Sequence, residues 1–300
     1  EKRSVNLVQL RSKKALNLSL RNGIRAVRTH IDSFGLQGNF TWDVIKDIKE
    51  EYKSIIELQL VALVPLEFWS TSEGSLFAKK VANDAGLLGG VLVPPFQKEQ
   101  TILSLKNLLL LANKLGIGID LHIDESQIQP AAGLKLLINL LDKIKPEVPI
   151  TLSHLSSMGL LENSELRQLA ERIYQHKLNV VALPLTNSWL LGRQFRATPI
   201  QRPIAPIYQL QQAGVTVAVG GDNVQDPWFP AGNFDPLSLI AFSLPLAQLA
   251  PWQRLGLSPF MTASARLMSL DWDGTIQIGK PADFILLQAC SWAEVLSKPP

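Results

Sequence analysis

The stretch Gly116-Ile-Gly-Ile-Asp-Leu-His-Ile-Asp-Glu125 decides how this chain is read. Ahead of it, Ile102 to Leu115 is apolar almost all round, the pattern of a buried helix, and Gly116 stands where a helix ends on a left-handed residue. The run from Gly116 to Asp124 is then a short strand closing on polar groups. Side chains alternate faces along a strand. Asp120, His122 and Asp124 therefore share one face, and Leu121 and Ile123 the other. Helix, glycine, apolar strand and polar strand end together make one βα repeat.

Six more runs have the same character: Gly23 to Asp32, Ile55 to Val64, Leu87 to Pro94, Val148 to His154, Leu178 to Thr186 and Val215 to Asp222. They recur roughly every 30 residues, a spacing that suits βα units. Rich in Val, Ile and Leu without clean polar alternation, they read as parallel strands covered on both faces. Gly23, Gly86 and Gly214 take the place of Gly116 in other repeats. Leu166, Leu169, Ala170 and Ile173 give Ser164 to Tyr174 one apolar helical face, with Asn163 or Ser164 as its cap. Val5 to Arg21, Gln201 to Ala213, Pro236 to Leu249 and Ser258 to Met268 read as further helices. An open doubly wound sheet is disfavoured because no glycine-rich phosphate loop follows any strand.

Seven strands are one short of a (β/α)8 TIM-type barrel, and the chain opens on a helix. The first strand is expected upstream of Glu1, and the abrupt end at Pro299-Pro300 suggests further chain there too. Gly274 to Leu287 reads as a strand, a Gly-Lys-Pro turn and a second strand. The expected division is a barrel over residues 1–270 and the start of a small β-sandwich over 271–300.

Composition narrows the function. Of 300 residues 46% are hydrophobic and 18% charged, below the roughly 25% usual in soluble domains. That suits a compact enzyme with a large core. The 29 basic and 26 acidic residues are interspersed, so neither a nucleic-acid groove nor a polybasic membrane patch is expected. A single cysteine, Cys290, excludes a disulfide framework and a cysteine-rich zinc site, including that of the nucleic-acid deaminases. There is no apolar stretch of about 18 residues to span a membrane and no leader pattern, so a cytoplasmic location is expected.

In a barrel of this kind the reactive groups sit at the C-terminal ends of strands. Three of the four histidines, His30, His122 and His154, fall at such ends, joined by Glu125 and Asp222. The fourth, His176, lies near a helix end and reads as a surface or capping residue. Imidazole and carboxylate here suit a divalent metal, with a further carboxylate left to move protons. His30 stands open between ligand and brace of the strand ends.

With these residues in place the chain resembles the amidohydrolase superfamily, in its cytosine deaminase-like branch. The resemblance rests on Arg28-Thr-His-Ile-Asp32, Leu121-His-Ile-Asp-Glu-Ser126, Ser153-His-Leu-Ser-Ser-Met158 and Gly220-Gly-Asp-Asn-Val-Gln-Asp-Pro-Trp-Phe-Pro230. Pro184-Leu-Thr-Asn187 with Leu191-Gly-Arg193, Ala263-Ser-Ala-Arg266 and Gly279-Lys-Pro-Ala-Asp283 add to it. It implies one divalent metal ion, zinc or iron, with His122 and Asp222 among its ligands. It implies catalytic roles for Glu125, as proton shuttle to a ring nitrogen, for His154, which orients the hydroxide, and for Asp222. Trp228 matches an aromatic wall of the substrate pocket. The implied reaction is deamination of a small nitrogen heterocycle: hydroxide attacks the carbon bearing the amine, and ammonia leaves.

The chain departs from that branch in three ways. A His-x-His pair, two of the family's metal ligands, is absent, and is expected upstream with the missing strand. The family's substrate-binding glutamine has no clear match; Leu66 or Pro65 occupies its region, with Glu67 or Gln97 as substitutes. Asn223 replaces the second of two consecutive aspartates, so the pocket's polarity differs. The substrate-binding candidates are thus Trp228, Asn223, Leu66 and Glu67. Two alternatives remain: hydrolysis of a cyclic amide or other C–N bond, and a non-catalytic barrel that binds a heterocycle. The partner expected is a small heterocycle, and the family's habit of oligomerising makes a homo-oligomer an expected state.

Overall fold

The computed structural model describes residues 3–35 and 38–297. The chain end at Pro299-Pro300, and whatever precedes Glu1, lie outside the described residues. Helices and strands alternate: α1 Val5–Arg21, β1 Ala26–Asp32, α2 Gly38–Tyr52, β2 Glu57–Leu63, α3 Ser72–Asn83, β3 Leu87–Leu92, α4 Lys98–Leu115, β4 Ile119–Ile123, α5 Ala132–Leu141 and β5 Ile150–His154. Then come α6 Asn163–Gln175, β6 Asn179–Ala182, α7 Pro184–Leu190, α8 Ile207–Gln212, β7 Val217–Val219, α9 Pro236–Ala247, α10 Thr262–Leu267 and α11 Trp292–Ser297. Among the described residues the sheet has seven strands in order β1 to β7, the order of the sequence. Each of the seven apolar runs holds one strand. The chain forms two compact units. One holds residues 1–124, 131–153 and 175–178; the other holds 125–130, 154–174 and 179–300.

In the first unit β1 and β2 pair in parallel from Ala26 with Glu57 to Asp32 with Leu63. Strands β3 and β4 pair in parallel, setting Val91 beside His122. Leu60, Val61, Leu88, Ile119 and Leu121 are fully buried in the sheet, and Leu105, Leu108 and Leu109 of α4 are buried with them. Truncating one such leucine to alanine costs about 2–5 kcal/mol. Gly116 ends α4 with φ 67, and its N–H bonds back to the last turn. After α3 the left-handed residue is instead Ala85, at φ 51. Gly86 is required for another reason: a Cβ there would lie 2.7 Å from the buried Trp42 ring.

In the second unit β6 and β7 are parallel, with Ala182 beside Val219. The run expected to continue as strand to Thr186 turns into α7 at Pro184. A proline fits the first helical turn, where its missing N–H is not needed. Helix α6 buries Leu166, Ala170 and Ile173 as its spacing predicts. Helix α8 is shorter than the expected Gln201 to Ala213, because Pro203 and Pro206 interrupt the backbone bonding of a helix. Residues 274–287 form no strand. Ile276, Ile278 and Leu286 stand exposed, and a strand without a ladder partner has nothing to hold it. Trp42 and Trp69 are buried packing residues, whereas Trp252 is exposed.

Candidate active site

In the first unit side chains of β1, β4 and β5 gather around Asp120, the second residue of β4, whose side chain is fully buried. Arg28 Nη1 of β1 donates to its Oδ2 at 3.0 Å, and Ser153 Oγ of β5 donates to Oδ1 at 2.7 Å. His30 Nε2 approaches Oδ1 at 3.3 Å. Burial alone would raise the Asp120 pKa. His30, Arg28 and Ser153 overcome it and hold the carboxyl well below the usual carboxylate range. Arg28 is itself aimed by Gln59 Oε1, at 3.2 Å from Nε, and donates to Thr151 Oγ1 at 3.1 Å. The His30 ring meets His122 edge to face, with centroids 4.5 Å apart. His30 thus lies against both Asp120 and His122. His122 is held to a pKa of about 3, first by burial and then by His30. It is neutral at physiological pH, the form of imidazole that binds a metal.

Asp124 does not continue the polar face of β4. Its φ of 52 turns the chain, and its buried carboxylate accepts from the N–H groups of Gly133 and Leu134, both at 2.8 Å. It thereby caps α5, whose own N-terminal residue makes no side-chain cap bond. The sequence held the strand-end aspartate but no signal of its use.

In the second unit Glu125 sits beside His154, which is almost fully buried. Glu125 Oε1 lies 3.4 Å from His154 Nδ1. Asn187 of α7 joins them: its Nδ2 donates to Glu125 Oε1 at 3.2 Å and lies 3.1 Å from His154 Nδ1. Burial, and then the negative charge of Asp222, push the Glu125 pKa up to about 8. It keeps its proton at neutral pH. His154 and Asp222 both take positive φ, 74 and 59. For such residues this conformation is uncommon and concentrates at functional sites. Asn223 Nδ2 donates to Asp226 Oδ2 at 2.6 Å, and Asp226 Oδ1 accepts from the N–H groups of Trp228 and Phe229 at 2.9 Å each. Asn223 thus braces the turn that presents the exposed Trp228 ring. Trp189 is partly exposed under Arg193, whose guanidinium carbon lies 4.7 Å from the ring centre.

Leu66 and Glu67 follow β2 in a short 3-10 turn, Leu66–Ser70. With Gln97 they line a cavity of about 300 Å3 in the first unit. Leu66 itself is buried against Gly90, where a Cβ would come within 2.6 Å of it. His176 meets Asp142 at 3.1 Å, the surface role expected of it.

A neutral imidazole at His122 and a carboxylate at Asp222 have the donor chemistry a divalent ion takes. Among the described residues, however, no group of three or more His, Cys, Asp or Glu side chains is arranged to hold a metal. A catalytic zinc site takes three protein ligands. The described residues therefore fit part of a donor set.

Comparison with known proteins gives the chain's family. Over 295 residues the chain is 29% identical to a pterin deaminase of Rhizobium rhizogenes, covering 97% of this chain and 66% of that protein. It is 26% identical over 283 residues to an N-isopropylammelide isopropyl amidohydrolase of Pseudomonas, covering 92% of this chain and 66% of the relative. The chain thus spans slightly less than two thirds of the length of these curated relatives. The crystal structure of a 5-methylcytosine deaminase from Klebsiella pneumoniae bound to 5-fluorocytosine superposes with a TM-score of 0.83 at 24% identity, covering 99% of this chain and 72% of that one. It shares the fold. The family model described as the amidohydrolase family matches residues 19–300, nearly the whole length, and the chain belongs to that family.

Proposed function

We propose that this chain carries the catalytic residues of an aminohydrolase that releases ammonia from a small nitrogen heterocycle. One observation carries the reading. Glu125 is half-buried, protonated at neutral pH, and held beside His154 by a shared amide. A carboxylic acid kept neutral in that way is poised to give a proton to a ring nitrogen as the adjacent carbon is attacked. The pterin deaminase and 5-methylcytosine deaminase similarities support an amine-bearing ring as substrate.

His122 and Asp222 are the proposed ligands of one divalent ion, zinc or iron. Such an ion, when bound, supplies hydroxide at neutral pH by lowering the pKa of water. The charge of Asp222 keeps Glu125 in its acid form before the reaction; Asp222 would then accept the proton released from water, which removes that charge and eases the transfer from Glu125. Glu125 protonates the ring nitrogen, so that charge does not build on the ring as the carbon becomes tetrahedral. His154 orients the attacking oxygen. As the tetrahedral carbon collapses, Asp222 passes the proton it took to the amine, which leaves as ammonia, and the hydroxyl proton returns to Glu125 as the carbonyl forms. Trp228 supplies an aromatic wall for a flat ring. Leu66 and Glu67, with the nearby Gln97, supply a second wall and polar groups to read the ring's edge. Activity within a closed (β/α)8 barrel, assembly into a homo-oligomer, and a cytoplasmic setting belong to the same proposal. No helix among the described residues is long and apolar enough to cross a membrane.

The amidohydrolase relative that acts on N-isopropylammelide favours one second reading: the same acid serves an alkylamine leaving group in place of ammonia. Metal content of the purified protein, coupled to ammonia release from aminopyrimidines, pterins and aminotriazines, tests both. One ion per chain with ammonia from any ring is the expected result. A loaded protein that releases only alkylamines selects the second reading. A loaded protein inert toward every ring overturns the proposal.

A further inference from the structure

We propose that Asn187 is a positioning residue that sets the tautomer of His154 and keeps it apart from the Glu125 proton. The inference rests on the roles of Glu125 and His154 given above.

Asn187 lies in the middle of α7 and is fully buried, with His154 nearly so. Its Nδ2 is within hydrogen-bond distance of two acceptors, Glu125 Oε1 at 3.2 Å and His154 Nδ1 at 3.1 Å. A side-chain amide nitrogen carries two hydrogens, one for each. To accept one, His154 Nδ1 must present its lone pair, so a neutral ring carries its hydrogen on Nε2. That ring is a donor through Nε2 and can steady an attacking oxygen, but it cannot take that oxygen's proton.

The arrangement without Asn187 is different. Glu125 Oε1 and His154 Nδ1 are only 3.4 Å apart. With no amide beside them the two would bond directly, the acid hydrogen of Glu125 going to Nδ1 or the imidazole hydrogen to the carboxyl, and in either case Glu125 would be engaged with its neighbour instead of with substrate. The amide meets both acceptors with its own hydrogens and so keeps the two groups in separate roles.

Asn187 Oδ1 is buried and has no hydrogen-bond partner among the described residues, a cost to stability that its two contacts through Nδ2 offset. The flanking Thr186 and Ser188 are buried too, which leaves the amide little room to turn. The residue's orientation is therefore satisfied at its nitrogen, on the side of Glu125 and His154.

Long-range proton–nitrogen correlation spectra of the 15N-labelled protein test this directly. The chain has four imidazoles, so replacing each histidine in turn assigns them. The expected parent spectrum shows His154 with its hydrogen on Nε2. A hydrogen on Nδ1 in the parent overturns the proposal, whether or not any ring is deaminated. Asn187→Asp is expected to move the hydrogen to Nδ1, because a carboxylate accepts from Nδ1; an unmoved tautomer in this variant also overturns it. Should Asn187→Asp fail to fold, Asn187→Leu, close in shape, is expected to shift the His154 Nδ1 and Glu125 carboxyl signals together as the two bond directly, and unchanged signals overturn the proposal. On a substrate identified as above, either variant is expected to lower kcat by about 10²-fold while changing KM little. A loss confined to KM overturns the positioning role. Absence of any deaminase activity in the parent, with the Nε2 tautomer present, would count against the proposed function and leave the Asn187 assignment standing.

Discussion

Asp124 reaches nine residues along the chain to accept the backbone N–H of Gly133 at 2.8 Å. The same carboxylate takes the N–H of Leu134, so one side chain at the exit of β4 ties down the first turn of α5. The contact needs a glycine, since a Cβ on Gly133 would stand 2.8 Å from Leu92 O and 3.0 Å from Asp124 Oδ1. Asp124→Ala would leave two buried N–H groups without their acceptor and is expected to lower stability by about 2–4 kcal/mol. Asp124→Asn keeps one acceptor oxygen and should lose less. Urea unfolding midpoints of the two variants check the order; equal midpoints would remove the carboxylate from the cap.

The raised pKa of Glu125 has a definite sign to test. Its largest cause is burial, followed by the charge of Asp222. In metal-stripped protein, carbon-detected titration of the Glu125 carboxyl should show a midpoint near 8. Asp222→Asn removes a negative charge, which makes the ionised carboxylate easier to form, so the midpoint should fall. It should stay above 4.5, because the burial remains. A rise in Asp222→Asn would contradict the repulsion between the two groups.

Glu125→Gln retains shape and hydrogen bonding but cannot pass a proton. Turnover on the substrate found by the ring panel is expected to fall by about 10²-fold or more, with metal content unchanged. Equal turnover in the variant would show that the proton comes from elsewhere.

Asp222→Ala should instead abolish metal retention and activity together, as loss of a ligand does. Metal analysis after dialysis distinguishes the cases. A fully loaded Asp222→Ala protein would take this residue out of the ligand set.

Substitution at the cavity of the first unit should separate binding from chemistry. Glu67→Ala removes a polar group from that cavity's lining without touching Glu125 or His154. The expected result is a higher KM or a changed ring preference at similar kcat. Steady-state kinetics over the panel would show it, and a large fall in kcat alone would argue against a binding role.

Much of this architecture was legible because hydrophobic periodicity and glycine placement are local signals. Each of the seven apolar runs contains a strand, and Gly116 ends its helix in the expected left-handed conformation. The failures are where non-local bonding decides. The strand drawn through Thr186 stops at Ala182 because Pro184 opens a helix, a signal present in the sequence and outweighed by the run of apolar residues. Gly274 to Leu287 has strand-like composition but no pairing partner among the described residues. For the site, the ends of β4 and β5 pointed to His122, Glu125 and His154. The bond of Asp124 to α5 lay beyond sequence reading, since it depends on a turn nine residues away. Asn187 was visible only as part of a family-like stretch; its service to two acceptors at once follows from the helix that begins at Pro184.

Left-handed backbone at Asp124, His154 and Asp222 bears on how this protein would respond to laboratory evolution. Glycine adopts that conformation without penalty, whereas other residues there carry strain on the order of 1 kcal/mol or more. A library selected only for heat tolerance would favour glycine at an exit such as Asp222, and would drift toward robust, inert proteins. Selection for thermostability in this scaffold should therefore be alternated with selection for turnover, or these three codons held fixed.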